Sequence, residues 1–318
     1  LRKFKRPSWE REPKPIYFVS DLSVKNNKKS FPHPVIEAIN NNYDSPIFLG
    51  YKSFGTAQDP KDWNRDTMSN KFYRERRDKR KKYTLTEADV LKKTTFIFDE
   101  HKGLAMWGGH GNDPFFYSQN TKKKIIDAGK GKKTVFIFPE LENHTQDFKY
   151  VLDTMLFPLA EYGQSRNLNI HLRCKNIFWQ GPAHMPMWSR LQSGEFADVF
   201  VPTMEETSDK SMEMSIIGRM GYWLSGSVNQ WGARTVPDNT SYDRLRQFSS
   251  QRLPNHAMRQ MIYSAANGAT HFNNFAIDQD YISLVWELIA EGVLYVPNRD
   301  ELLSISPIHL SMTSPDHH

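Results

Sequence analysis

Two stretches of this sequence end in carboxylates that could do chemistry. Lys133–Glu140 (KTVFIFPE) is an apolar, β-branched run closing on Glu140, with Glu142, Asn143 and His144 just beyond. Asp198–Val201 is a second short apolar run, followed by Glu205 and Glu206. Thr207, Ser208 and Asp209 then offer oxygen side chains to the free N–H groups of a first helical turn. A helical pattern carries Met212, Ile216, Ile217, Met220 and Trp223 on one face and stops at Gly226. Glycoside hydrolysis needs two carboxyls, one holding a proton and one ionised, ~5–5.5 Å apart in retaining and ~6.5–9.5 Å apart in inverting enzymes. Glu140 is expected to be the acid, because an apolar strand and Pro139 precede it and burial favours the protonated form. Glu206 is expected to activate water, with Glu205 as its alternative, since neighbours on an extended chain face opposite ways. The plainer reading of Glu205 and Glu206 is an acidic first turn that suits the helix dipole. A second strand-end carboxylate upstream weighs against it.

Around these carboxyls, a substrate-binding set is expected from Trp107, His110, Glu142, Trp179, His184, Trp231, Arg234 and Asn274. Indoles stack on flat ligand faces or fill cores. Trp231 is expected at the site because Asn229, Gln230 and Arg234 beside it are polar. Arg234 could grip a sulfate or carboxylate, or form a structural ion pair. The histidines lack zinc spacing such as HExxH, and there is no GxSxG elbow for a serine nucleophile. GGHG at Gly108–Gly111 has neither the Lys-Ser/Thr of a P-loop nor dinucleotide spacing. No metal and no cofactor are expected.

Strands must present these groups at their C-terminal ends. Candidates are Pro15–Ser20, Pro46–Tyr51, Thr94–Phe98, Val135–Phe138, Asn169–Leu172 or Asn176–Trp179, Asp198–Val201, Ala269–Phe275 and Gly292–Val296, with a further short strand within Lys102–Gly111. Helical patterns lie between most of them. Asp147–Tyr162 is the clearest, with Pro158 predicting a kink or an early end. Eight short strands alternating with helices predict an α/β fold, a (β/α)8 TIM barrel, with an open doubly wound sheet as runner-up. Residues 1–14 read as an irregular lead-in. Residues 15–318 read as one catalytic barrel with a basic insertion near 52–86.

Composition narrows the class. The 318 residues are 38% hydrophobic, enough for one large core. One cysteine excludes an intrachain disulfide framework. No run of about 18 apolar residues is present to cross a bilayer. The start at Leu1 reads as a mature form or an excised piece. The net charge of +6 gathers in Arg74–Lys82 and Lys122–Lys133, which are solvated faces or the footprint of an anionic partner. No nucleic-acid module accompanies them, so an acidic or sulfated polysaccharide is expected, not nucleic acid, and a monomer.

The segment EETSDKSMEMSIIGRMGYWLSGSVNQWGAR resembles the distal half of the catalytic barrel of glycoside hydrolase family 98, which includes endo-β-galactosidases. The residues that carry the resemblance are Glu205 or Glu206, then Trp223, Leu224, Ser225, Gly226, Asn229, Trp231 and Gly232. Phe138–Glu140 sits where such an enzyme carries its acid, and Ser264–Phe275 is similar to the segment that follows. The resemblance covers about a third of the chain, and a related polysaccharide hydrolase family fits equally. It implies an endo-acting, secreted or periplasmic hydrolase, with a sulfated galactan suiting the basic surface. The third carboxylate such enzymes use has no counterpart between Glu140 and Glu205. The alternatives are a polysaccharide lyase and a glycan-binding barrel without catalysis.

Overall fold

The computed structural model describes residues 14–20, 23–26, 29–51, 56–57, 63–75, 82–111, 113–142, 145–175, 177–204, 212–235, 254–274 and 279–302. Eight parallel strands form one sheet: β1 (Tyr17–Ser20), β2 (Ile47–Tyr51), β3 (Gly103–Trp107), β4 (Lys133–Pro139), β5 (Leu168–Cys174), β6 (Phe200–Met204), β7 (Gly232–Thr235) and β8 (His271–Asn274). They pair in the order β6-β5-β4-β3-β2-β1-β8-β7. The two outer strands, β6 and β7, are joined by side-chain and loop bonds. Gln230 Nε2 donates to the carbonyls of Ala197 and Phe200, both at 3.2 Å, and the Asn229 N–H donates to Ala197 O at 2.9 Å. The fold is a (β/α)8 barrel, as expected.

Two assigned strands differ from expectation. Thr94–Phe98 lies inside a helix, Glu87–Glu100. Its β-branched run favours a strand, but Val90, Thr94, Ile97 and Phe98 are the buried positions, which is helical spacing. Thr86 and Asp89 form a reciprocal capping box at its start. The third strand is instead the glycine-flanked GLAMW. Gly292–Val296 forms no strand, and its place in the barrel is taken by Gly232–Thr235. The helix expected at Asp147–Tyr162 runs as Gln146–Val151, a π turn Leu152–Leu156, and Phe157–Gly163. Pro158 does not end it. In the wide turn the Phe157 N–H reaches Leu152 O, so the helix absorbs the proline at the start of its last segment.

The alternation of β5 (LNIHLRC) shows how the barrel is filled. Leu168, Ile170, Leu172 and Cys174 pack outward into the main core under the helices. Asn169, His171 and Arg173 point inward. Asn169 Oδ1 lies 3.2 Å from His271 Nε2, and Arg173 Nη1 donates to Asn273 Oδ1 at 2.6 Å. Strands β5 and β8 are not neighbours, so these bonds cross the interior. The opposite half is apolar, with Val19, Leu49, Ala105, Val135 and Ile137 in contact.

Candidate active site

At the C-terminal ends of the strands, Glu140 follows β4 in a left-handed backbone conformation, φ 58°. Only a minority of non-glycine residues adopt it, and it costs on the order of 1 kcal/mol. The bend is held from both sides. The Glu140 N–H extends the ladder to Arg173 O at 2.9 Å, and the Gly111 N–H bonds Pro139 O at 2.9 Å. Gly111 packs so closely that a Cβ there would stand 2.1 Å from the Glu140 carbonyl oxygen.

The Glu140 carboxylate meets two bases. Lys175 Nζ, just past β5, donates to Oε1 at 2.6 Å, and His110 Nε2 stands 3.5 Å from Oε2. The Glu140 and Lys175 side chains are 34% and 28% exposed, so the pair faces the mouth. The surroundings of Glu140 are therefore an ion pair, in place of the apolar pocket expected from Pro139 and the strand. The Glu142 carboxylate accepts the Lys175 backbone N–H and fixes the lysine's main chain.

His110 is placed by a buried anchor. The loop after β3 closes on itself through reciprocal backbone bonds between His110 and Asp113. Asp113 is fully buried and accepts from Arg65 Nη2 at 2.9 Å, from the Phe115 N–H at 3.0 Å and from the Tyr83 hydroxyl. The His110 ring stacks on Trp107, centroids 5.7 Å apart.

Beneath these groups the mouth is lined by cations. The buried Arg173 guanidinium lies 5.2 Å from the Trp107 ring centroid. Arg234, buried on β7, and Arg173 both act on Tyr51 at the end of β2. Burial pushes the Tyr51 phenol up, while the two arginine charges and the Trp107 N–H pull it down. Deeper in the barrel, burial with help from Arg173 and Lys133 pushes His171 down to about 3, and His271 is driven well below its ordinary value by burial. Burial lowers Lys133 to about 8.

Of the expected residues, Glu140, Glu142, Trp107, His110 and Arg234 lie at this mouth. Asn273 turns into the barrel; the side chain of its neighbour Asn274 lies outside the described residues, as do Glu205 and Glu206. Trp179 and Trp231 are corrections. Both are fully buried and present no face to a sugar. Trp179 donates its N–H to Thr203 O at 2.9 Å, and Trp231 packs under the Arg219 guanidinium. His184 sits with its ring against Tyr222 and Nε2 3.2 Å from Trp179 O. Asp99 and Glu100 end a helix, not a strand. The basic stretch Lys122–Lys133 is in part structural. Lys122 is buried against Tyr117 O, Lys132 caps Phe98 O and His101 O, and Lys133 enters the barrel. Sequence reasoning missed Arg173, Lys175 and Tyr51; the alternation of β5 was the signal for the first. No group of three or more His, Cys, Asp or Glu that could hold a metal occurs among the described residues.

A (β/α)8 barrel carries its chemistry at the C-terminal ends of its strands, and here that mouth joins a strand-end carboxylate to aromatic and cationic side chains. The lambda-carrageenase middle domain family model matches residues 62–318, and the chain belongs to that family. It is 48% identical to a lambda-carrageenase of a Pseudoalteromonas species and 49% identical to that of Pseudoalteromonas carrageenovora, each over 99% of this chain and 33% of the relative. The chain thus spans about a third of the length of these curated relatives. Among solved structures, the catalytic module of a family 98 glycoside hydrolase from Streptococcus pneumoniae TIGR4 is similar with a TM-score of 0.57 at 10% identity, over 90% of this chain and 53% of that one. The same module in complex with the LewisY pentasaccharide blood group antigen gives 0.58 at 10% identity, over 91% and 53%. The likeness expected from the sequence is therefore one of fold, while family membership lies with the lambda-carrageenase middle domain. No helix among the described residues is long and apolar enough to cross a membrane.

Proposed function

We propose that this barrel is the catalytic part of an endo-acting glycoside hydrolase that cleaves a sulfated galactan. The observation that carries the reading is Glu140, bent over the mouth between Lys175 and His110 at the end of β4. The relatives' name points to carrageenan, a sulfated galactan, and arginines at the barrel floor suit sulfate esters.

In this mechanism Glu140 protonates the glycosidic oxygen as the C–O bond to the anomeric carbon breaks. Glu206, or Glu205, takes a proton from the water whose oxygen bonds that carbon. Each cleavage consumes one water and leaves one new reducing end. Trp107 backs the site through its contacts with His110 and Arg173. Arg234 and Arg173 bind sulfate, and His110 and Glu142 hold the acid and its lysine in place. The enzyme is secreted or periplasmic, acts as a monomer and needs no cofactor. The chain forms one catalytic unit from about residue 15 onward.

The test is to incubate the protein with a sulfated galactan and follow reducing ends and ultraviolet absorbance together. Reducing ends without new absorbance are expected. New absorbance would mean a lyase, and binding without cleavage would mean a glycan-binding barrel; either result overturns the proposal.

A further inference from the structure

We propose that Asn273 is a positioning residue for sulfate recognition: it holds the Arg173 guanidinium in the barrel beside Arg234, through an amide that fixes the cation without adding a negative charge to it. The inference rests on the reading above, in which Arg173 and Arg234 bind the sulfate esters of a galactan.

Asn273 is 1% exposed. Its carbonyl oxygen accepts from Arg173 Nη1 at 2.6 Å, and its Nδ2 donates to Val19 O at 3.3 Å. These partners allow one orientation of the amide. A guanidinium can only donate and a peptide carbonyl can only accept, so the amide oxygen must face the arginine and the amide nitrogen the strand. The side chain thereby ties three strands: its own β8, the neighbouring β1 and, across the interior, β5. On its other side stands Arg234. Arg234 and Asn273 are register partners in the β7–β8 ladder, so their side chains leave the sheet on the same face, from strands about 4.8 Å apart. Two buried guanidinium groups, from β5 and β7, thus converge on one neutral amide.

The residue type matters as much as its place. An aspartate could accept the same bond from Arg173. It would also set a full negative charge against both cations, and it would turn an oxygen toward Val19 O, where no hydrogen bond forms. A sulfate ester stays ionised at any working pH, so its binding depends on the charge and the placement of the arginines. With the guanidinium held in advance, binding does not have to immobilise a long side chain.

The experiment compares wild type, Asn273→Asp, Asn273→Ala and Arg173→Met on a sulfated galactan and on its chemically desulfated form. Each variant is first checked for an intact fold by circular dichroism and thermal unfolding. The readout is the sulfated-to-desulfated ratio of kcat/KM. A merely structural loss would weaken both polymers alike and leave that ratio as it is. The ratio is expected to fall roughly tenfold in Asn273→Asp, mainly through a raised KM on the sulfated polymer, and several-fold in Asn273→Ala. Asn273→Ala brings in no buried charge, so it decides the matter if the aspartate variant does not fold. A wild-type ratio in either folded variant would overturn the inference. Arg173→Met separates the two ideas. If it loses the preference for sulfate while the Asn273 variants keep it, the inference alone fails. If Arg173→Met keeps the wild-type ratio, or if wild type cleaves neither polymer, the reading beneath the inference fails and the inference with it.

Discussion

Asp113 shows how a single buried residue reaches the chemistry. It holds Arg65, Tyr83 and the Phe115 N–H, and through its backbone bonds to His110 it sets the side chain beside Glu140. Removing one member of a buried ion pair costs about 3–5 kcal/mol. Asp113→Ala is expected to lower the melting temperature by several degrees and kcat with it, read by thermal unfolding and by initial rates. A melting curve unchanged from wild type would mean the pair is not structural. At this scale the sequence was legible only in part. Glu140 could be found because a strand-end carboxylate has a pattern. Asn273 and Asn274 could not be told apart, because inward and outward residues differ by one position, and the strand register alone fixes the parity. Trp231 was misplaced because polar neighbours suggested surface, while its own side of the chain packs under Arg219.

Elements decide where these residues stand. The helix Glu87–Glu100 begins with Thr86 accepting from the Asp89 N–H at 3.1 Å. Thr86→Ala is expected to cost about 1 kcal/mol, seen in chemical unfolding with activity unchanged. That Thr-x-x-Asp signal was present in the sequence. The β-branched TTFIF obscured it, because strand propensity competes with helical burial over short windows. The loop after β3 behaves differently. In Gly111→Ala the new methyl carbon would meet the Glu140 carbonyl at 2.1 Å, so loop and strand end must part. Activity is expected to fall by at least an order of magnitude, with a smaller effect on stability. A variant with full activity would show that the two backbones can separate without moving the carboxylate.

Across the whole molecule, charge is arranged differently from its appearance in the sequence. Part of the lysine-rich stretch turns inward, and Lys133, His171, Arg173, Arg234 and His271 share the barrel with no carboxylate among the inward residues described. Burial holds His171 neutral. Its folded value of about 3 lies below the ordinary 6.5, so the unfolded chain binds a proton between them that the folded chain does not. The stability is complete above about pH 6.5 and is lost as pH falls toward about 3. His271 adds in the same direction. His171→Leu should flatten, but not abolish, this acid limb in unfolding measured from pH 7 to 4; an unchanged slope would contradict the assignment. The alternation of strand and helix made the barrel legible from sequence. The closure by Gln230 and the polar interior were not, because both depend on which distant strands face one another.

The central proposal is that Glu140 and a second carboxylate, from Glu205 or Glu206, cleave a glycosidic bond. The most direct measurement is reducing-end release from a sulfated galactan by Glu140→Gln, Glu205→Gln and Glu206→Gln, each checked for an intact fold. Glu140→Gln and one of the other two are expected to lose about 10²–10⁴-fold in kcat. Near wild-type release by Glu140→Gln, or by both Glu205→Gln and Glu206→Gln, would contradict the account.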